Sequence, residues 1–179
     1  MKGWIYPSIS SGETFTEGSD TYLVFSQRAR GDAYFFSGRK TNCEVSILER
    51  TETTDDEGVV TVSWPPTTTD EPVCGEIVTS ALRQTEPGLL DTTVRLYYIP
   101  SSVEVALLSR LVHEMTQKWA VDMGAIYDPI YLGARYKVDS IDDLILTGVK
   151  RLQCSNDSEV IKCTKSSLAP TITISSGRG

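Results

Sequence analysis

Short runs of β-forming residues recur along the chain, each closed off by a glycine, a proline or a polar cluster. Runs of this kind fit a pleated, half-buried surface. The clearest are residues 21–25, 33–36, 58–64, 92–99, 159–163 and 171–174. Residues 43–48 alternate with period two through Cys43, Val45 and Ile47, the pattern of a strand with one buried face. Residues 27–32 and 37–40 read as turns, and Pro87-Gly88 as another. Pro65-Pro66 closes the strand before it, because proline cannot donate to a ladder. Residues 67–72 read as a polar loop, whereas 73–83 fit either a strand or a helix face.

One segment breaks this rhythm. Between Ser102 and Met123, Val105, Leu107, Leu108, Leu111, Val112, Met115, Trp119 and Met123 recur at helical spacing, with Arg110, Glu114, Gln117 and Lys118 mainly opposite. Ser101 and Glu104 have capping-box spacing, and Gly124 stands where a helix would stop. The pattern predicts a helix over about 102–123. Ser140 and Asp143 repeat the cap spacing ahead of Leu144–Leu146, which suits a short second helix, with a strand as the alternative. The fold expected is therefore α+β, a mainly antiparallel sheet with one long amphipathic helix packed on it and extended terminal arms. Residues 1–19 read as an N-terminal arm, 20–153 as a single core domain, and 154–179 as a C-terminal β arm.

Charge is unevenly placed. There are 17 Lys and Arg against 24 Asp and Glu, a net charge of −7. Residues 49–76 hold eight acids and one base, which equals the whole excess, so an acidic insert carries the imbalance. From Lys162 onward there are three bases and no acid. An acidic chain does not attract phosphate, so a nucleic-acid partner is not expected. No stretch approaches the 18 or so apolar residues of a membrane span, and no apolar leader follows Met1. The expected place is the cytoplasm where the chain is made, or a virion.

The motifs that carry chemistry are sparse. His113-Glu114 begins like a zinc-protease helix, but Gln117 stands where the second histidine belongs, and the chain has one His. Cys43, Cys74, Cys154 and Cys163 include no CxxC pair; Cys154 and Cys163 flank a polar turn and are the one pair placed to face each other. Asp55-Asp56-Glu57 lacks the order of a calcium loop. Arg30-Gly31-Asp32 reads as a β-turn built on Gly31. No phosphate-binding glycine loop is present. No catalytic, cofactor or metal residue is assigned.

What remains is a protein of surfaces. Trp4, Ile5 and Tyr6 form an apolar arm suited to docking. Asp55, Asp56 and Glu57 mark an acidic protrusion, and Lys162, Lys165, Ile172 and Ile174 a basic, strand-forming tail. Opposite charges on two segments of one chain suit head-to-tail assembly. In overall character the chain is similar to the small ring-forming proteins of virus particles, such as the neck, tail-terminator and connector proteins of tailed phages. The expected function is thus a non-enzymatic structural subunit that contacts copies of itself and other structural proteins. The alternatives are an intracellular adaptor that binds a basic partner through residues 49–76, or a hydrolase using His113.

Overall fold

The computed structural model describes residues 2–5, 9–31, 33–113, 116–118, 121–122, 125–126, 130–132 and 134–157. Its elements in chain order are β1 (Lys2–Ile5), β2 (Thr14–Glu17), β3 (Asp20–Arg30), β4 (Ala33–Lys40), β5 (Cys43–Leu48), β6 (Thr51–Thr54), β7 (Val60–Ser63) and β8 (Pro66–Ile77). After these come α1 (Ser80–Thr85), β9 (Arg95–Pro100), β10 (Arg110–His113), β11 (Thr116–Lys118), β12 (Val121–Asp122), β13 (Ala125–Ile126), β14 (Ile130–Leu132), β15 (Arg135–Leu146) and β16 (Val149–Asn156).

Six antiparallel strands close into a barrel in the order β10-β15-β16-β9-β8-β5, with β5 completing the circle against β10. Closure gives every barrel strand a hydrogen-bonded neighbour on each side. Period-two alternation fills the interior: Val45 and Ile47 from β5, Val73 from β8, Tyr97 and Ile99 from β9, Leu111 from β10, Val138 from β15, and Leu152 and Cys154 from β16. All of these are buried completely. A barrel of six strands is narrow, so side chains fill it and leave no channel.

A second sheet, ordered β1-β4-β3-β2, lies against the barrel's outer wall. Leu23 and Phe25 meet Cys74, Tyr98, Leu146 and Val149 in a small core of their own at this seam. Two glycines set the closeness of the approach. Gly12 and Gly148 both have positive φ, 86° and 78°. A Cβ on Gly12 would lie 1.9 Å from the Gly148 oxygen, and one on Gly148 would lie 2.1 Å from the Ser11 oxygen. No other residue fits either place.

The long helix is absent, and the fold is mostly β where an α+β arrangement was expected. α1 is the one helix among the described residues, and none there is long and apolar enough to cross a membrane. Residues 101–109 form a turn and loop, and the strands β10, β11 and β12 follow. The physical reason lies at Leu108 and beyond. Leu108 has φ of 68°, outside any right-handed helix. Its N–H goes to the Val138 carbonyl at 2.9 Å, and the Ser109 carbonyl accepts from Val138 at 2.9 Å. Arg110–His113 then has a ladder on each side, to β5 and to β15. Two tertiary ladders outweigh a weak local preference, in a stretch where Val, Thr and Trp are mediocre helix formers. The Ser101–Glu104 cap does not form: the Ser101 N–H bonds Gly148, and Glu104 is exposed.

Smaller expectations change for the same reason. β3 runs on to Arg30 and leaves Gly31, with φ of 62°, as the turn, and residues 37–40 belong to β4. The polar 67–72 segment is part of β8, held against β5. The second short helix is instead the end of β15, the alternative that the sequence left open. Residues 73–83 divide into the end of β8 and the start of α1, with Thr79 capping the helix by accepting from the Leu82 N–H at 3.2 Å.

Candidate assembly surfaces

The barrel's antiparallel order sorts its connections to two ends. β5, β8, β9, β15 and β16 place Leu48, Pro66, Pro100, Leu146 and Val149 at one end. Cys43, Ile77, Arg95, Arg135 and Asn156 lie toward the other. A hairpin leaves from each end.

The larger hairpin begins at His113. β10 and β15 pair as Leu111↔Tyr136 and Val112↔Arg135, and the His113 N–H donates to the Ala134 carbonyl at 3.0 Å. The pairing continues past the barrel as Thr116↔Leu132, Gln117↔Tyr131 and Lys118↔Ile130, then as Val121↔Ile126 and Asp122↔Ala125. The registers of these successive pairs differ by one residue at most, so the paired pieces follow one another in hairpin order; they are called the ribbon below. Neither β11–β14 nor β12–β13 pairs with any other strand among the described residues.

The composition of this segment is unlike that of a solvated loop. Eleven of its 20 residues from 114 to 133 are apolar, a higher share than the chain's 40%. They include Met115, Trp119, Met123, Tyr127 and Tyr131. A two-stranded ribbon is at best marginal alone in water, and free edges invite strands from elsewhere.

Its root is held firmly. The Asp157 carboxylate lies 3.0 Å from Arg110 Nε and 3.9 Å from Arg135 Nε, so one acid at the end of β16 ties both strands where the ribbon begins. Arg110 and Asp157 side chains are 6% and 3% exposed, which makes the pair a buried one. The Arg110 guanidinium also sits 4.5 Å above the Trp64 ring. Inside the barrel at this end, the Tyr97 hydroxyl is hydrogen-bonded with His113 Nε2, and Tyr136 packs 5.4 Å from the imidazole. Burial pushes the Tyr97 phenol far above its usual range. His113 is thus a packed, hydrogen-bonded part of the ribbon's root, where the sequence alone left it as a candidate base.

The smaller hairpin, β6–β7, leaves from the opposite end. All four β6 residues are exposed, as are Val59 and Val60. The Asp55 carboxylate accepts from the Glu57 N–H at 3.0 Å and the Val59 N–H at 2.8 Å, so it builds the turn that presents Asp56 and Glu57.

The other expected contacts are scattered. Trp4 and Ile5 lie on β1, paired with Phe35 and Tyr34 of β4, so the apolar arm is the terminal strand of the chain's own sheet. Tyr6, Lys162, Lys165, Ile172 and Ile174 lie outside the described residues, as does Cys163. Cys154 is a free, buried thiol in the barrel. The ribbon was missed by sequence reasoning because its apolar spacing mimicked a helix.

A cavity of about 710 Å³ opens at the seam between sheet and barrel. Arg39 lies in its wall, 5.8 Å from the Phe25 ring centre and 5.5 Å from that of Tyr98, and reaches Glu76 at 3.4 Å. Arg151, also lining it, is 9% exposed and bridges Glu86 at 2.8 Å and Asp142 at 3.2 Å. These cations are matched by acids of the same chain, so the cavity offers an anion little uncompensated charge. Neither this cavity nor a smaller one beside Asn42 and Gly75 reaches His113. Among the described residues, no three His, Cys, Asp or Glu side chains converge as a metal site would need. No protein-family model matches the chain, and no curated protein matches it in sequence.

Proposed function

We propose that the chain is a non-enzymatic structural subunit of a larger assembly, of the ring-forming kind used in virus necks and tails, and that it acts by joining copies of itself and partner proteins. The observation that carries this reading is the ribbon of residues 110–137. It is apolar in sequence, lies outside the barrel's strand order, and among the described residues β11–β14 and β12–β13 pair with no further strand. A barrel with no free edge does not need such an extension for its own closure. A subunit that grips a neighbour does.

The test is the solution mass of the full chain, by light scattering after size exclusion, beside that of a chain in which a short glycine turn replaces residues 114–133. Concentration-dependent oligomers from the full chain, and monomers of unchanged fold from the shortened one, are expected. Equal masses for the two chains would refute the ribbon's role.

A second reading draws on the exposed acidic hairpin β6–β7, which suits a basic partner protein. Binding of such a partner that weakens steeply with salt, and is lost in Asp56→Lys/Glu57→Lys, would favour it.

A further inference from the structure

The β6–β7 hairpin is short of partners. Among the described residues its two strands pair only with each other, and a two-stranded hairpin is marginal alone in water. Thr51–Thr54 is exposed along its whole length, as are Val59 at 55% and Val60 at 54%. Residues 49–65 hold five acids against Arg50, a local charge of −4. Arg50 is paired with Glu52, and Asp55 accepts the N–H groups of the turn. Asp56 and Glu57 stand exposed at the tip, with no further base in the hairpin.

The chain's own complement starts beside it. Residues 158–179 lie outside the described residues and carry Lys162, Lys165 and Arg178 against Glu159, a charge of +2. Two β-forming runs, 159–163 and 171–174, fall within them. The last described residue, Asp157, fixes where this segment begins. Its carboxylate lies 3.0 Å from Arg110 Nε, and the Arg110 guanidinium lies 4.5 Å from the centre of the Trp64 ring. Trp64 directly follows β7, and the Glu49 N–H donates to the Pro65 carbonyl at 3.1 Å, which closes the hairpin's foot. The segment therefore begins one arginine side chain away from that foot.

Length agrees with charge. Val60, at the far end of β7, is about 13 Å along a strand from Trp64, and the acidic turn lies just past it. An extended chain leaving Asp157 reaches about 17 Å by Lys162 and about 26 Å by Lys165. The two lysines bracket the turn.

We propose that residues 158–179 lie along the β6–β7 hairpin of the same chain, adding a third strand to it and setting Lys162 and Lys165 against Asp56 and Glu57. Backbone pairing supplies hydrogen bonds to the hairpin's outer edge. Exposed ion pairs are individually weak, and the anchor at Asp157 offsets this by making the encounter intramolecular. A basic partner protein would have to displace the tail to reach the hairpin.

The test uses the full chain as an equal mixture of heavy-isotope-labelled and unlabelled protein. A carbodiimide joins an ammonium to a carboxylate in contact with it. Links from Lys162 or Lys165 to Asp56 or Glu57 are expected, each within chains of one label. No such link overturns the proposal, and so do links that join labelled to unlabelled chains, because the tail then serves another copy.

Amide hydrogen exchange gives a second readout, with the barrel amides as the control for folding. In Lys162→Glu/Lys165→Glu the amides of residues 51–63 are expected to exchange about tenfold faster than in the unaltered chain. Adding Asp56→Lys/Glu57→Lys to that variant is expected to restore slow exchange. Unchanged exchange in the first variant, or no recovery in the second, overturns the proposal. Neither readout involves residues 114–133, so failure here leaves the structural-subunit reading standing.

Discussion

At the scale of single residues, the barrel buries both charged groups and titratable thiols. Asp157 lies between Arg110 and Arg135 at 3% exposure. Removing one partner of a buried ion pair leaves an uncompensated charge, which costs about 3–5 kcal/mol. Asp157→Ala is therefore expected to lower the urea midpoint strongly. The double change Arg110→Met/Asp157→Leu is expected to be milder than Asp157→Ala, because neither charge is then stranded. A single change that leaves the midpoint in place would remove the latch from this account. The thiols set a pH limit. Burial pushes the Cys74 thiol from 9.0 up to about 11, with Cys43 adding to the rise and Arg39 opposing it. Burial raises Cys154 as well, with Asp139 reinforcing it. An acid whose folded pKa is raised holds its proton after the unfolded chain has lost it, so stability is complete below pH 9 and falls as pH rises toward 11. Urea midpoints at about pH 8 and about pH 10.5 check the sign, and an equal or higher midpoint at the alkaline value contradicts it.

At the scale of elements, what could be read from the sequence depended on which signal was local. Cys43, Val45 and Ile47 alternate and Arg95–Pro100 is dense in β-formers, and the two segments form β5 and β9 in the barrel wall. The turn at Gly31 needed only a permissive backbone, and it is present where the residues point to it. The segment after Ser101 failed because its apolar residues satisfy two periods at once. Leu107, Leu108, Leu111 and Val112 mark a helix stripe, yet Leu111 and His113 are also alternate positions facing into a barrel. The choice is made by β5 and β15, which lie far away in sequence, so no window around residue 110 contains it. The candidate site suffered in the same way. Its apolar residues were legible as a surface to be buried, but the helix expected to present them to the sheet does not form. The Gly12–Gly148 approach was equally hidden, because it joins two turns more than 130 residues apart. Gly148→Ala is expected to cost about 2–3 kcal/mol, through positive φ and a clash with Ser11, measured by chemical denaturation. A neutral effect would mean that the sheet does not sit this close to the barrel.

At the scale of the whole molecule, the fold divides its work. The closed barrel satisfies its own hydrogen bonds, and the outer sheet is tied to it through the core formed by Leu23, Cys74 and Val149. The acidic hairpin and the ribbon leave from opposite ends of the barrel. Under the proposed function, changes in β1 or the ribbon are expected to alter assembly and to leave the barrel intact. Leu152→Ala, deep in the barrel, is expected to cost about 2–5 kcal/mol in stability, whereas Trp4→Ala on the β1 edge is expected to weaken association more than folding. Unfolding and sedimentation measured on both variants separate the two effects, and a reversed pattern would contradict the division.

The central claim is that the ribbon is held by a neighbour and not by its own chain. Amide hydrogen exchange across residues 114–133, followed as protein concentration rises, tests this most directly. The account predicts fast exchange in the dilute monomer and slow exchange that appears in step with assembly, while the barrel strands stay protected throughout. Slow exchange in the ribbon of the monomer, or fast exchange in the assembled protein, would contradict it.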